Sequence, residues 1–147
     1  MNTKGHELTA KTPDEMFAIG EDIARSLSGG ELILLVGGLG AGKTLLTKGI
    51  MSGLDFDVDE VTSPSFTLVN KYETAKFDVY HIDLWRLNAG PQVAMAVGLG
   101  EIFGDENAVV IIEWADRLGE KKFDRATTRI EIIGDGDQSR LVSISKM

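Results

Sequence analysis

Apolar and polar positions divide the chain into short hydrophobic runs and helical stripes in alternation. Residues 32–36 (Leu, Ile, Leu, Leu, Val) are unbroken apolar, and so are residues 109–112 (Val, Val, Ile, Ile). Such runs predict strands buried on both faces of a parallel sheet. Met16, Ile19, Ile23 and Leu27 recur at helical spacing behind Thr12-Pro13-Asp14-Glu15. That stretch reads as a helix start, with Thr12 as N-cap, Pro13 at the first position and acids in the first turn. A short edge strand is expected over residues 7–12. Ser28-Gly29-Gly30 ends the first helix, and Leu46, Ile50 and Leu54 continue a second helical face to about Gly53. Residues 68–73 and 77–84 read as strands joined by Thr74-Ala75-Lys76, a hairpin. Residues 127–133 and 140–145 alternate around Gly134-Asp135-Gly136-Asp137 as a second hairpin. Residues 91–103 are expected to form one helix rich in small residues.

The junction after the first apolar run carries the most specific chemistry. Gly37, Gly38, Leu39, Gly40, Ala41, Gly42, Lys43 and Thr44 fit the P-loop pattern G-x-x-x-x-G-K-[ST] without a gap. Glycines let the backbone take positive φ and turn N–H groups onto phosphate oxygens. A helix starting near Gly42 adds the positive end of its dipole. Lys43 is expected at the β- and γ-phosphates of a nucleotide, and the Thr44 hydroxyl on Mg²⁺. A plain glycine-rich turn with a solvent-facing lysine is the competing reading. An apolar strand before the loop and a helical stripe after it favour nucleotide binding.

Two acids close apolar strands, Asp83 in Tyr80-His81-Ile82-Asp83 and Glu113 after residues 109–112. In an open α/β sheet the carboxyl ends of strands border the ligand crevice. A metal-holding or water-orienting role for both is therefore preferred over surface or capping roles. Thr62-Ser63-Pro64-Ser65-Phe66-Thr67 is dense in hydroxyls and sits where switch segments follow a P-loop; a plain turn into a strand is an equally weighted alternative. His6 and His81 are the two histidines, too few for a metal cluster, and His81 reads as a packed or hydrogen-bonding residue rather than a base. Gly98-Leu99-Gly100 lacks dinucleotide-binding spacing and a preceding strand.

Composition narrows the class. The 147 residues suit one domain with one core, and 43 % hydrophobic with 26 % charged residues is ordinary for a globular protein. No cysteine is present, which removes disulfides and thiolate metal sites. The start lacks a signal-peptide core and no apolar run reaches membrane-spanning length, so a cytoplasmic protein without membrane contact is expected. A net charge of −8 argues against an extensive nucleic-acid grip of its own.

Three stretches together, GGLGAGKT, TSPSFTLVNKY and YHIDLWRL, with IIEWADRL closing the set, resemble the TsaE family of small P-loop ATPases required for threonylcarbamoyladenosine in bacterial tRNA. The resemblance covers nearly the whole chain and is carried by S-P-x-F-T-L-V, H-x-D-L-x-R and I-E-W. It implies an α/β, single-domain P-loop NTPase: a mixed sheet with a parallel centre and antiparallel additions, flanked by helices. It implies ATP cradled from Gly37 and Gly38 through Leu39, Gly40, Ala41, Gly42, Lys43 and Thr44 to Leu45. Thr44 and Glu113 would hold Mg²⁺, with Asp83 at the metal or the attacking water, so that Lys43, Asp83 and Glu113 are the expected catalytic set. Thr62, Ser63 and Ser65 would face the γ-phosphate, Trp114 would sit beside the site, and Thr12 and Arg140 would approach the nucleoside. The implied partners are a TsaD-like threonylcarbamoyl transferase and a TsaB-like subunit, with tRNA reached through that complex.

Two positions and one stretch depart from the family pattern. Gly38 stands where an acid is usual, Ser65 where Thr is usual, and residues 89–95 lack the usual acids. The expected activity is ATP hydrolysis, slow in the isolated chain and raised by partners, because no in-cis arginine finger is evident. A P-loop small-molecule kinase and a GTP-dependent switch are the rival readings. The six arginines form no lid, and Asn70-Lys71-Tyr72-Glu73 imitates a guanine-reading motif only faintly.

Overall fold

The computed structural model describes residues 5–64, 67–90, 92–119 and 123–147. Strands β1 (Gly5–Ala10), β2 (Leu32–Gly37), β3 (Val69–Glu73), β4 (Asp78–Asp83), β5 (Val109–Glu113), β6 (Thr127–Ile133) and β7 (Arg140–Lys146) form one sheet in the order β1-β7-β6-β2-β5-β4-β3. The centre, β6-β2-β5-β4, is parallel; β3 on one side and β7 then β1 on the other are antiparallel. This is the mixed α/β sheet expected from the sequence, and both predicted hairpins are present.

The apolar runs are explained by two layers of cover. Side chains alternate across a strand, so Ile33 and Leu35 of β2 and Ile111 of β5 pack under helices α1 (Pro13–Arg25) and α2 (Lys43–Gly53). Leu32 and Leu34, with Val110 and Ile112, pack on the opposite face under α3 (Gln92–Ala96) and α4 (Leu99–Phe103). Every residue of β5 is buried, as burial on both faces requires.

Helix α1 starts as its sequence predicts. Thr12 is extended at φ −138°, ψ 160°, its hydroxyl accepts from the Glu15 N–H at 3.1 Å, and the Glu15 carboxylate accepts from the Lys11 N–H at 2.8 Å. That cap moves the edge strand toward the N-terminus: β1 spans Gly5–Ala10 rather than 7–12, since Thr12 is committed to α1. The β3–β4 turn is closed by Thr74, whose hydroxyl donates to the Phe77 carbonyl at 2.6 Å.

One expectation fails. Residues 91–103 do not form one helix: α3 and α4 are separate, and Gly98 between them lies at φ 70°, a left-handed conformation that interrupts the hydrogen-bond ladder. Residue 91 itself lies outside the described residues. Among the described residues no helix is long and apolar enough to cross a membrane.

Candidate functional site

The loop between β2 and α2 is shaped by left-handed glycines, Gly40 at φ 77° and Gly42 at φ 116°, the latter serving as N-cap of α2. Side chains at these positions would be strained. The Ala41 N–H donates to the Gly38 carbonyl at 3.1 Å, closing the loop on itself. Lys43, only 5 % exposed, lies across it and donates to the carbonyls of Gly37 at 2.7 Å and Gly38 at 2.8 Å. Burial pulls the Lys43 ammonium below its ordinary pKa, against the attraction of Glu113, Asp83 and Asp116. The ammonium also sits 4.1 Å from the centre of the Trp114 ring.

Both predicted carboxylates face this lysine. Parallel pairing of β4 with β5 sets Asp83 directly against Glu113, so two strand ends deliver two acids to one place. The Thr44 hydroxyl donates to Glu113, lying 3.1 Å from one carboxylate oxygen and 3.2 Å from the other. Asp83 accepts from the Ser63 hydroxyl at 3.2 Å and from the Trp85 N–H at 2.9 Å. A cavity of about 310 Å³ is lined by residues that include Lys43, Thr44, Leu45, Ser63, Asp83, Glu113 and Trp114.

Among the described residues no group of three His, Cys, Asp or Glu side chains could hold a metal by itself. Two carboxylates and a hydroxyl are, however, hard oxygen donors of the kind Mg²⁺ takes when phosphate oxygens and water complete its shell. The donor set fits that ion in company with a phosphate ligand.

A second cavity, of about 290 Å³, is lined by the same loop and shares Gly40, Gly42 and Leu45 with the first. Thr12, Met16 and Arg140 also line it. Thr12 therefore reaches the expected place while its hydroxyl is spent on capping α1. Arg140 has a more definite task than sequence suggested. Its guanidinium donates to the carbonyls of Ala41 at 3.0 Å and Gly40 at 3.3 Å, bracing the loop from the final strand. Thr62 is exposed and bonds to Tyr72 and Asn70, whereas Ser63 contacts Asp83. Ser65 lies outside the described residues. Leu39, 73 % exposed, projects from the loop tip.

His81 is the hydrogen-bonding residue, and Trp114 the neighbour of the site, that the sequence reading expected; the Glu113 partner of His81 and the parts played by Trp85 and Arg117 were not foreseen. His81 is fully buried and its Nε2 lies 2.5 Å from a Glu113 oxygen. The hint was its position two residues before Asp83 on β4, which puts both side chains on one face. Trp85 stacks on Trp114 with centroids 4.6 Å apart, and the Arg117 guanidinium lies 5.4 Å from the Trp114 ring. Trp114 holds φ 59°, a left-handed backbone that is rare for a bulky residue and concentrates at functional sites.

The family model described as threonylcarbamoyl adenosine biosynthesis protein TsaE matches residues 10–142. The chain is 39 % identical over 103 residues to the tRNA threonylcarbamoyladenosine biosynthesis protein TsaE of a Nostoc species, an alignment covering 67 % of this chain and 61 % of that one. It is 33 % identical over 133 residues to the protein of that name from Bacillus subtilis, covering 90 % of this chain and 80 % of its relative. Its fold resembles a solved structure of Bacillus subtilis YdiB with a TM-score of 0.76 and 29 % identity, over 99 % of this chain and 88 % of the other. The match across nearly the whole chain, on the P-loop, strand-end acids and hairpins just described, means that this protein belongs to the TsaE family.

Proposed function

We propose that this chain binds ATP with Mg²⁺ and hydrolyses its terminal phosphoanhydride, as a subunit of the cytoplasmic machinery that forms threonylcarbamoyladenosine in tRNA. The observation carrying this reading is the convergence of Lys43, Thr44, Asp83 and Glu113 on one cavity beside a left-handed glycine loop. The pathway follows from the family and from the names of the relatives.

In this reading the loop N–H groups and the start of α2 bind the phosphates, and Lys43 leaves the Gly37 and Gly38 carbonyls for phosphate oxygens. Thr44 and Glu113 hold Mg²⁺, which supplies charge neutralisation on the phosphate oxygens. Asp83, fixed by Ser63 and the Trp85 N–H, faces the attacking water. Water oxygen bonds to the γ-phosphorus as the bond from phosphorus to the bridging oxygen breaks, and the water proton passes to the released phosphate. The catalytic contribution is positioning and charge stabilisation. The cavity beside Thr12 and Arg140 takes the nucleoside. No arginine is assigned to the transferred phosphate, so turnover is slow until TsaD-like and TsaB-like partners complete the site.

The test is calorimetric binding of ATP, ADP and GTP with Mg²⁺, followed by phosphate release with and without the two partners. Adenine preference and partner-stimulated hydrolysis that vanishes in Lys43→Ala and Glu113→Ala support the proposal. A preference for GTP, or hydrolysis indifferent to the partners, refutes it; phosphate transfer to a metabolite instead of water would mark a kinase.

A further inference from the structure

Behind the two acids lies a buried polar chain that the hydrolytic reading does not use. Glu113, 2 % exposed, meets Nε2 of the fully buried His81 at 2.5 Å. Nδ1 of the same ring lies 3.3 Å from the Tyr72 hydroxyl. That hydroxyl lies 3.1 Å from the Thr62 carbonyl, 3.3 Å from the Thr62 N–H and 3.3 Å from the Asn70 side-chain amide. The amide of Asn70 also donates to the Thr62 carbonyl and hydroxyl, each at 3.2 Å. The chain runs from the deepest carboxylate of the site to the exposed start of the hydroxyl-rich loop. We propose that His81 and Tyr72 are positioning residues forming a hydrogen-bond relay that orients the Glu113 carboxylate and couples its engagement to the backbone of Thr62.

Proton accounting gives the relay its direction. Because a carboxylate only accepts, a neutral ring in this contact carries its hydrogen on Nε2 and leaves Nδ1 as an acceptor. Tyr72 has one hydroxyl hydrogen and two acceptors competing for it, Nδ1 of His81 and the Thr62 carbonyl. While Glu113 holds the ring by Nε2, Nδ1 at 3.3 Å is open to accept that hydrogen in competition with the Thr62 carbonyl at 3.1 Å. When the Glu113 bond is lost, the ring takes the Nδ1–H tautomer and donates to the Tyr72 oxygen, and the hydroxyl hydrogen turns outward to Thr62. The loop thus registers whether Glu113 is engaged by the ring. Partners of this kind behind a ligating side chain fix its orientation and raise its affinity for a cation. A mere packing role for His81 would leave Thr62 indifferent to Glu113.

The relay deepens the ATPase reading and rests on it for its use, since it makes the switch-like loop sensitive to what Glu113 binds. Its hydrogen bonds can be tested without ligand. His6 and His81 are the two histidines, and His6 lies on the exposed edge strand, so the imidazole nitrogens of His81 can be assigned in long-range ¹H–¹⁵N spectra of the full chain. The relay predicts the Nε2–H tautomer in the wild type, conversion to Nδ1–H in Glu113→Ala, and a shift of the Thr62 amide in that variant. Adding Tyr72→Phe abolishes the Thr62 shift and removes the acceptor that holds the Nδ1–H form, so the ring conversion is lost with it. An Nδ1–H ring in the wild type, or a Thr62 response undiminished by Tyr72→Phe, overturns the relay.

Tyr72→Phe keeps the ring packed 5.2 Å from Phe56, so it decides the matter alone if Glu113→Ala does not fold. The His81 Nδ1 resonance then shifts as it loses its donor, and an unmoved resonance overturns the relay. In a parallel titration, His81→Phe raises the Mg²⁺ concentration needed for half-maximal ATP binding about 10-fold, with ATP affinity in the absence of Mg²⁺ unchanged. An unchanged Mg²⁺ requirement removes His81 as a positioning residue. Failure of the wild type to bind ATP would instead refute the proposed function, leaving the tautomer and Thr62 measurements to decide the relay.

Discussion

Substitution of Gly49 by Ala tests how the phosphate-loop helix is seated. A Cβ at Gly49 would stand 2.2 Å from the Phe17 carbonyl oxygen and 3.1 Å from the Gly20 Cα, and one at Gly20 would stand 2.5 Å from the Leu46 carbonyl oxygen. These neighbours are backbone, so no side-chain rotation relieves the overlap. Helices α1 and α2 must part by about 1 Å at their crossing, a gap at which a contacting atom pair loses a quarter to a half of its attraction. Overpacking of this kind costs about 1–3 kcal/mol, and more where backbone must move. Replacing a helical glycine by alanine returns about 1 kcal/mol in helix propensity. A net loss of about 2 kcal/mol is expected, seen as a fall in Tm of about 4–8 °C for a domain of this size. Gly100→Ala supplies the control: Gly100 lies within α4 with nothing within 4 Å of the added atom. That change should raise stability by about 0.4–1 kcal/mol through the unfolded chain. Urea denaturation of both variants beside the wild type is the assay. Gly49→Ala as stable as wild type, or both variants shifting alike, would refute the close helix crossing as the reason for glycine at 49.

Further expectations concern the site and the scaffold that carries it. Thr12→Ala removes the acceptor of the Glu15 N–H and should cost about 1 kcal/mol in urea denaturation; an unchanged midpoint would deny the cap. Arg125 binds the carbonyls of Asp105 at 2.7 Å, Ala108 at 2.6 Å, Phe103 at 3.1 Å and Gly30 at 3.3 Å, so Arg125→Ala should cost about 2–3 kcal/mol. Arg125→Lys should recover only part of it, because one ammonium cannot reach four carbonyls in a planar fork; full recovery would deny that geometry. Lys43 titrates below its ordinary 10.5 in the folded chain because it is buried. Between that lowered value and 10.5 the unfolded chain binds more protons, so the contribution of this group makes stability rise with pH across the window. Denaturation midpoints of ligand-free wild type relative to Lys43→Met should climb from neutral to alkaline pH, and a falling difference would contradict the burial.

What the sequence disclosed, and what it withheld, follow one physical division. Patterns that burial imposes within a segment were legible: β2 and β5 carry unbroken apolar runs because helices cover both their faces, and Thr12-Pro13 announces a helix start that the structure keeps. Asp83 and Glu113 were each legible as strand ends, yet their pairing comes from the parallel register of β4 and β5, a relation between segments that no local pattern encodes. His81 shows the same limit. Its face follows from the two-residue alternation it shares with Asp83, but its partner Glu113 lies 32 positions away. Glycine was read for conformational freedom at the loop, where Gly40 and Gly42 use it, and for that reason its opposite use was missed. At Gly20 and Gly49 the backbone is ordinary helix and the missing side chain is what matters, because it lets α1 and α2 touch. Gly98 then reversed the reading again, breaking a stretch whose small residues had suggested continuity. One residue type thus serves as hinge, spacer and helix break, and only the atoms around each position tell them apart. For the site, the consequence is that the motif locates Lys43 and Thr44, while their seat against Glu113 depends on the crossing of two helices that the motif does not mention.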